Sequence, residues 1–280
     1  MSDLILAHQA TIRLVIFVGV LLAMAAWEAL APRRPRLVSR WSRWPSNLGI
    51  VALNTVVLRA ASPLAAVAVA GLAEQHGWGL LNGVALPAWA SIVLAVVLLD
   101  LAIYLQHVMF HAVPALWRLH RMHHADLDFD VTTGARFHPI EIILSAGIKC
   151  LVVGAIGASP VGVILFEVIL NATAMFNHSN VRLPIALDRF LRLAVVTPDM
   201  HRVHHSVRPN ETNSNFGFSL PWWDRLLGTY RAQPADGHTG MTIGIEQFRT
   251  KGDLRLDRML IQPLRGPASG YPINRRDDAT

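Results

Sequence analysis

Long apolar runs divide the first two-thirds of the chain. Residues 14–31 (LVIFVGVLLAMAAWEALA), 49–73, 87–106, 142–158 and 161–177 each approach the length of a bilayer crossing. The second run is interrupted by Arg59 and Pro63. The last two are split only by GASP at 157–160, too short for a linker, which predicts a helical hairpin. No positive segment opens the chain (MSDLILAHQ), so the first run reads as a span and not a cleaved signal peptide. The pattern predicts an all-α polytopic bundle of about four or five spans. After 178 no apolar run recurs, and prolines at 184, 198, 209, 221 and 234 punctuate mixed stretches. A cap of short helices and loops is expected there, ending in a disordered tail, RGPASGYPINRRDDAT.

Composition agrees. Of 280 residues, 52% are hydrophobic and 16% charged, against about 25% charged in an ordinary soluble domain. Disorder and coiled coil are excluded. The single cysteine, Cys150, excludes a disulfide framework and cysteine-based zinc or iron–sulfur sites, and inside a span it is expected to be inert. The net charge of +6 is spread over scattered arginines without a groove-reading motif, so no nucleic-acid partner is expected. Charge also sets direction. The loop PRRPRLVSRWSR carries Arg33, Arg34, Arg36, Arg40 and Arg43 and is expected to be cytoplasmic. Alternation then puts 107–141 and everything after 178 on that side, and the N-terminus outside. A bacterial inner membrane is the expected location.

The 13 histidines change the picture, because ten fall between 107 and 205, all at or beyond the cytoplasmic face. His107 and His111 are four apart and share a helical face. His120, His123 and His124 form HxxHH, and His201, His204 and His205 repeat it. His138 stands in RFHP and His178 in FNHSN. Imidazole suits iron, copper, nickel and zinc. Ten ligands exceed what one tetrahedral zinc takes, and fit two six-coordinate ions. A di-iron pair is the favoured reading. The alternative is a histidine-rich metal-binding or metal-transport protein, though a transporter would string ligands along a path through the spans. His8, His76 and His238 are expected to be surface residues.

Three other charges sit within the spans. Asp100 lies seven residues before His107 and on the same face, where it would accept an N–H from a ligand or pair with Arg59. Lys149 and Glu167 lie at similar distances from the 157–160 turn and are expected to pair across the hairpin; otherwise Glu167 would line a cavity.

DLAIYLQHVMFH, LWRLHRMHH, FHP, NHSN, TPDMHRVHHS and NFGFSLPWWDRLLGTY together resemble the fatty acid hydroxylase/sterol desaturase superfamily of membrane di-iron enzymes. The likeness runs over about residues 95–232; Val108 departs from the Arg many members carry, without removing a ligand. It implies a membrane region at 1–90, a catalytic domain at 91–235 and a cytoplasmic tail at 236–280. The implied iron ligands are His107, His111, His120, His123, His124, His178, His201, His204 and His205. His138 is expected to orient a ligand in preference to being one, and Asn177 and Asn180 to hydrogen-bond nearby. The implied activity is O2-dependent hydroxylation or desaturation of a lipid: fatty acyl, sterol-like or related. No electron-carrier motif is present, so a separate donor, ferredoxin or cytochrome b5-like with its reductase, is expected at the arginine-rich face.

Overall fold

A computed structural model describes residues 2–61, 65–268 and 270–273. Its elements are helical, with no strand among the described residues beyond two isolated bridges. A short α1 (Ser2–Ala7) precedes α2 (Gln9–Leu30), α3 (Arg40–Ala61), α4 (Ala66–His76), α5 (Ala88–Ala112) and α6 (Pro114–His124). The hairpin follows as α7 (Pro139–Ile156) and α8 (Pro160–Asn177), then α9 (Ile185–Leu191) and α10 (Pro198–His204). Five segments are long and apolar enough to cross a membrane: Gln9–Leu30, Arg40–Gly83, Ala88–Ala112, Pro139–Ile156 and Pro160–Asn177.

The second run differs from a single span. It divides into α3 and α4, and Pro63 lies outside the described residues. The two pieces still run in one direction. α3 begins beside the loop after α6, where Arg43 meets Asp126, and α4 ends against the α7–α8 turn. There the backbones touch: a Cβ on Gly79 would lie 2.2 Å from the Gly157 nitrogen. Gly157 caps α7 with φ +68, a left-handed conformation suited to glycine.

α8 is central, packing against α2, α4 and α5. The core there is Ala66, Ala70, Ala95, Leu99, Val153, Val163 and Phe166. Ala66, Ala70 and Ala73 recur on one face of α4 and are buried, so small side chains let α4 approach its neighbours. α2, by contrast, buries only Glu28 and turns Leu14, Val15 and Leu22 outward, as a lipid-facing helix should.

Lys149 and Glu167 pair across the hairpin as expected. Arg13 of α2 joins them at 2.5 Å from the second carboxylate oxygen. Beyond 178 the chain forms short helices and loops. The tail departs from the expected disorder as far as residue 273. Tyr271 is buried, stacks on Trp117 at 5.4 Å and donates to the Val207 carbonyl at 2.7 Å. Arg121 donates to the Gln262 carbonyl at 2.6 Å, and to those of Arg265 and Pro267. Residues 274–280 lie outside the described set.

Candidate metal centre

One end of the bundle gathers the histidine boxes. α5 carries His107 and His111 on its last turns, and α6 carries His120, His123 and His124. Pro114 starts α6, where its missing N–H costs nothing. His178 follows the last residue of α8. Thr197 caps α10, its hydroxyl accepting from the Met200 N–H at 3.3 Å, and α10 with the residue after it carries His201, His204 and His205.

These nine rings form two adjoining groups, all buried. His107, His111, His120, His124 and His204 make one; His123, His178, His201 and His205 make the other. Within each group the candidate ligand nitrogens lie within 4.8 Å of one another. The His124 and His205 rings stack across the boundary at 4.6 Å.

Hydrogen bonding fixes how several rings present themselves. The Nδ1 atoms of His107, His204 and His178 face the carbonyls of Phe216 (2.8 Å), Ser214 (2.7 Å) and Ala174 (2.7 Å). A carbonyl only accepts, so these Nδ1 atoms carry the protons. His120 Nδ1 donates likewise to Glu141 Oε1 at 2.7 Å, and His111 Nδ1 to Asn213 Oδ1 at 3.1 Å. Each of these five Nε2 atoms is therefore a lone pair. Yet Nε2 of His107 lies 3.1 Å from that of His120 and 3.0 Å from that of His204. Nε2 of His178 is 3.2 Å from that of His123 and 3.1 Å from that of His201. Among His107, His120 and His204 the facing lone pairs make no hydrogen bond and converge on a place for a cation; around His178 the Nε2 atoms of His123 and His201 converge in the same way. Both ring nitrogens of His124 and of His205, and Nε2 of His111, are buried without a protein partner. Such atoms are costly unless something binds them. The residues thus fit a metal pair held by neutral imidazoles.

The electrostatics agree. Burial, and then the neighbouring imidazoles, push His123, His124, His201, His204 and His205 well below the ordinary histidine range. His178 is held down at about 3, chiefly by burial. At neutral pH these rings are unprotonated, the state that binds metal.

His138 joins neither group. Its Nδ1 accepts from the Ile140 N–H at 3.2 Å, capping α7, and its Nε2 donates to the Leu260 carbonyl at 3.1 Å. Both ring nitrogens are thereby spent away from the nine. The orienting contact to a ligand comes instead from Glu141, three residues on. Asp100 also departs from expectation. It meets no imidazole, and Arg59 is exposed. Its carboxylate accepts from the backbone of Ser219 and Leu220, each at 3.3 Å, and from Trp223 Nε1 at 2.8 Å. It therefore fastens the segment whose Phe216 carbonyl orients His107. Asn177 donates to the Phe218 carbonyl at 2.7 Å, while Asn180 ties down Arg34 instead of a ligand. His238 is not a surface residue: it is buried, 3.5 Å from Asp199. His8 and His76 are exposed.

Several supports went unread in the sequence. Arg43 is fully buried and grips Asp126 at 2.6 and 2.7 Å and Asp130 at 2.5 Å, fixing the loop after His124. Glu28 accepts from Val131 N–H at 2.7 Å and Asn180 N–H at 2.8 Å, tying α2 to that loop and to the segment after His178. An acid within an apolar run was the available signal for Glu28.

Beside the clustered histidines lies a cavity of about 270 Å³, which His107 and His120 help to line. Most of its wall is apolar: Phe17, Leu58, Ile103, Phe110, Leu170 and Met175.

A family model for fatty acid hydroxylases matches residues 92–229, which contain all nine clustered histidines. That region belongs to the fatty acid hydroxylase family. The chain is similar to an ornithine lipid hydroxylase of Rhizobium tropici, 32% identical over 169 residues, covering 60% of this chain and 49% of that protein. It is 28% identical over 167 residues to human alkylglycerol monooxygenase, covering 57% and 34%. It is 24% identical over 146 residues to rat cholesterol 25-hydroxylase, covering 52% and 48%. The chain thus spans between a third and a half of the length of these relatives. No solved structure matches it.

Proposed function

We propose that this chain is a membrane-bound di-iron oxygenase that uses O2 and externally supplied electrons to hydroxylate a C–H bond of a lipid. The observation that carries the reading is the apolar cavity of about 270 Å³ lying directly against His107 and His120. The relatives named above are hydroxylases and monooxygenases of lipids, which favours hydroxylation over desaturation.

His107, His111, His120, His124 and His204 would hold one iron, and His123, His178, His201 and His205 the other. Five and four imidazoles fall short of six donors, leaving each ion room for a further ligand. When bound, such a pair supplies the activation of O2 that attack on an unactivated carbon requires. The chain's own residues do the rest. Backbone carbonyls, Glu141 and Asn213 hold the Nδ1 protons, so the Nε2 lone pairs stay aimed; Glu141 also raises the basicity of His120. Phe137 stacks on His123 at 4.4 Å, and Phe216 and Phe218 stand at 5.5 and 5.2 Å from His107. These rings exclude water from the centre. The lipid chain lies along the cavity wall formed by α2, α3, α5 and α8.

The arginine-rich loop before α3 adjoins the histidine end, where Arg33 meets Asp199 of α10 at 2.9 Å. By the positive-inside rule that end faces the cytoplasm. Exposed arginines there, Arg36 and Arg182 among them, suit an acidic electron donor such as a ferredoxin or cytochrome b5-like protein. A transport role is disfavoured by the gathering of ligands at one end, away from any path through the spans.

The test is comparative lipid mass spectrometry of cells with and without the gene, beside metal analysis of the purified chain. A lipid gaining 16 mass units, with two irons per chain, is expected. One iron or fewer, together with unchanged activity in His123→Ala, would sink the proposal. A loss of two mass units would replace hydroxylation by desaturation.

A further inference from the structure

Most of the cavity wall is apolar, and three of its polar residues carry buried atoms without a protein partner. Asn54 Oδ1, Gln106 Oε1 and Glu141 Oε2 are all buried, lack a protein partner and belong to residues lining the cavity. All are acceptors. Several donors of the same wall are already engaged within the protein. Asn54 Nδ2 donates to the Phe137 carbonyl at 2.9 Å, which fixes the amide's orientation, since a carbonyl cannot donate. Gln106 Nε2 donates to Ser145 Oγ at 2.9 Å, Asn171 Nδ2 to the Glu167 carbonyl at 2.7 Å, and the Thr55 hydroxyl to the Val51 carbonyl at 2.8 Å.

The three acceptors are also tied to the metal end. Gln106 immediately precedes His107. Asn54 holds Phe137, the ring stacked on His123. Glu141 holds His120 through its other oxygen. A hydrocarbon chain in this place would leave all three unsatisfied, and a carboxylate or phosphate would set acceptor against acceptor and charge against Glu141.

Resting on the oxygenase reading above, we propose that the cavity selects lipids carrying a neutral hydrogen-bond donor, a hydroxyl or amide N–H, close to the carbon that is oxidised. Asn54 and Gln106 accept that hydrogen bond, with Glu141 beside them, and so fix which carbon faces the metals. The rest of the lipid lies along the apolar wall. Oxidation is thereby directed near the polar end of the substrate and away from the tip of its chain.

Binding of two probes tests this without turnover. Radiolabelled 1-hexadecanol and hexadecyl methyl ether differ in the O–H donor and one methyl group, and each is titrated against the full iron-loaded chain in nanodiscs. Partition into the lipid is common to wild type and variants, so it cancels in the comparison. The alcohol-to-ether affinity ratio is expected to fall about tenfold in Gln106→Met, and again in Asn54→Leu, from its wild-type value. Gln106→Glu, which keeps an acceptor and can take the Ser145 hydroxyl proton, retains the preference. Should one variant fail to fold, the other carries the comparison. An unchanged ratio with both probes still bound would overturn the donor subsite and leave the lipid oxygenase reading standing. Saturable binding of neither probe would remove the lipid cavity itself, and this inference with it.

Discussion

Replacing Arg43 by methionine keeps the side chain's length and removes its charge. Arg43 is fully buried and donates to Asp126 at 2.6 and 2.7 Å, to Asp130 at 2.5 Å, to the Asp128 carbonyl at 3.2 Å and to Thr133 at 3.0 Å. Burial pushes the Asp126 carboxyl up, but the charges of Arg43 and then Arg136 outweigh it and hold the group well below the usual carboxylate range. Breaking a buried pair by removing one partner costs about 3–5 kcal/mol. The acids here keep other partners: Asn47 and Thr133 for Asp126, Trp44 and Thr132 for Asp130. The lower end, about 3 kcal/mol, is therefore expected. That is roughly a hundredfold rise in the opening equilibrium of the loop. Hydrogen exchange of the amides at 130–133 reads it directly, because Val131, Thr132 and Thr133 N–H groups all bond within this network. Acidification from pH 8 to 5 should narrow the deficit, since the unpaired Asp126 carboxyl gains a reason to take a proton. Exchange within about threefold of wild type, with α8 amides as the internal reference, would refute the claim that Arg43 holds the loop after His124.

Glu141→Gln keeps an acceptor for His120 and loses the charge; metal affinity should fall about tenfold, and about a hundredfold in Glu141→Ala, measured by chelator competition. Gly134→Ala places a Cβ 2.7 Å from the Ala174 carbonyl oxygen and 3.1 Å from His178 Nδ1. A loss of about 1–3 kcal/mol and weaker metal retention are expected, and an unchanged melting temperature would contradict that contact. His238 is held at about 3 by burial, against an attraction to Asp199. A folded histidine below its unfolded value of about 6.5 gives stability that is full above 6.5 and is lost as pH falls toward 3. Between pH 7.5 and 5 the wild type should lose about 2 kcal/mol more than His238→Gln, and equal losses would remove His238 as the cause.

Much of the architecture was legible along the chain. Five apolar runs and a turn of four residues between the last two sufficed for the span-length segments and the hairpin. Helical periodicity was enough to put the three rings of each HxxHH box on one stripe. The Lys149–Glu167 pair followed from similar distances to a turn. What failed to read has one common feature. Asp100 meets Ser219 and Trp223, His138 meets Leu260, Arg43 meets Asp126, and Tyr271 meets Val207, each across a gap of more than 60 residues.

The difference is physical. Burial in lipid demands length and apolarity of each span, and imidazole chemistry demands histidines at helical spacing, so both are written locally. By itself the sequence therefore determined that a histidine-rich face would close one end of a membrane bundle. A buried polar group demands a partner but does not specify which part of the chain brings it. Only the tertiary structure decided that Glu141 orients His120, that Asp100 fastens the Ser219–Trp223 segment, and that three residues lining the cavity carry unpartnered acceptors.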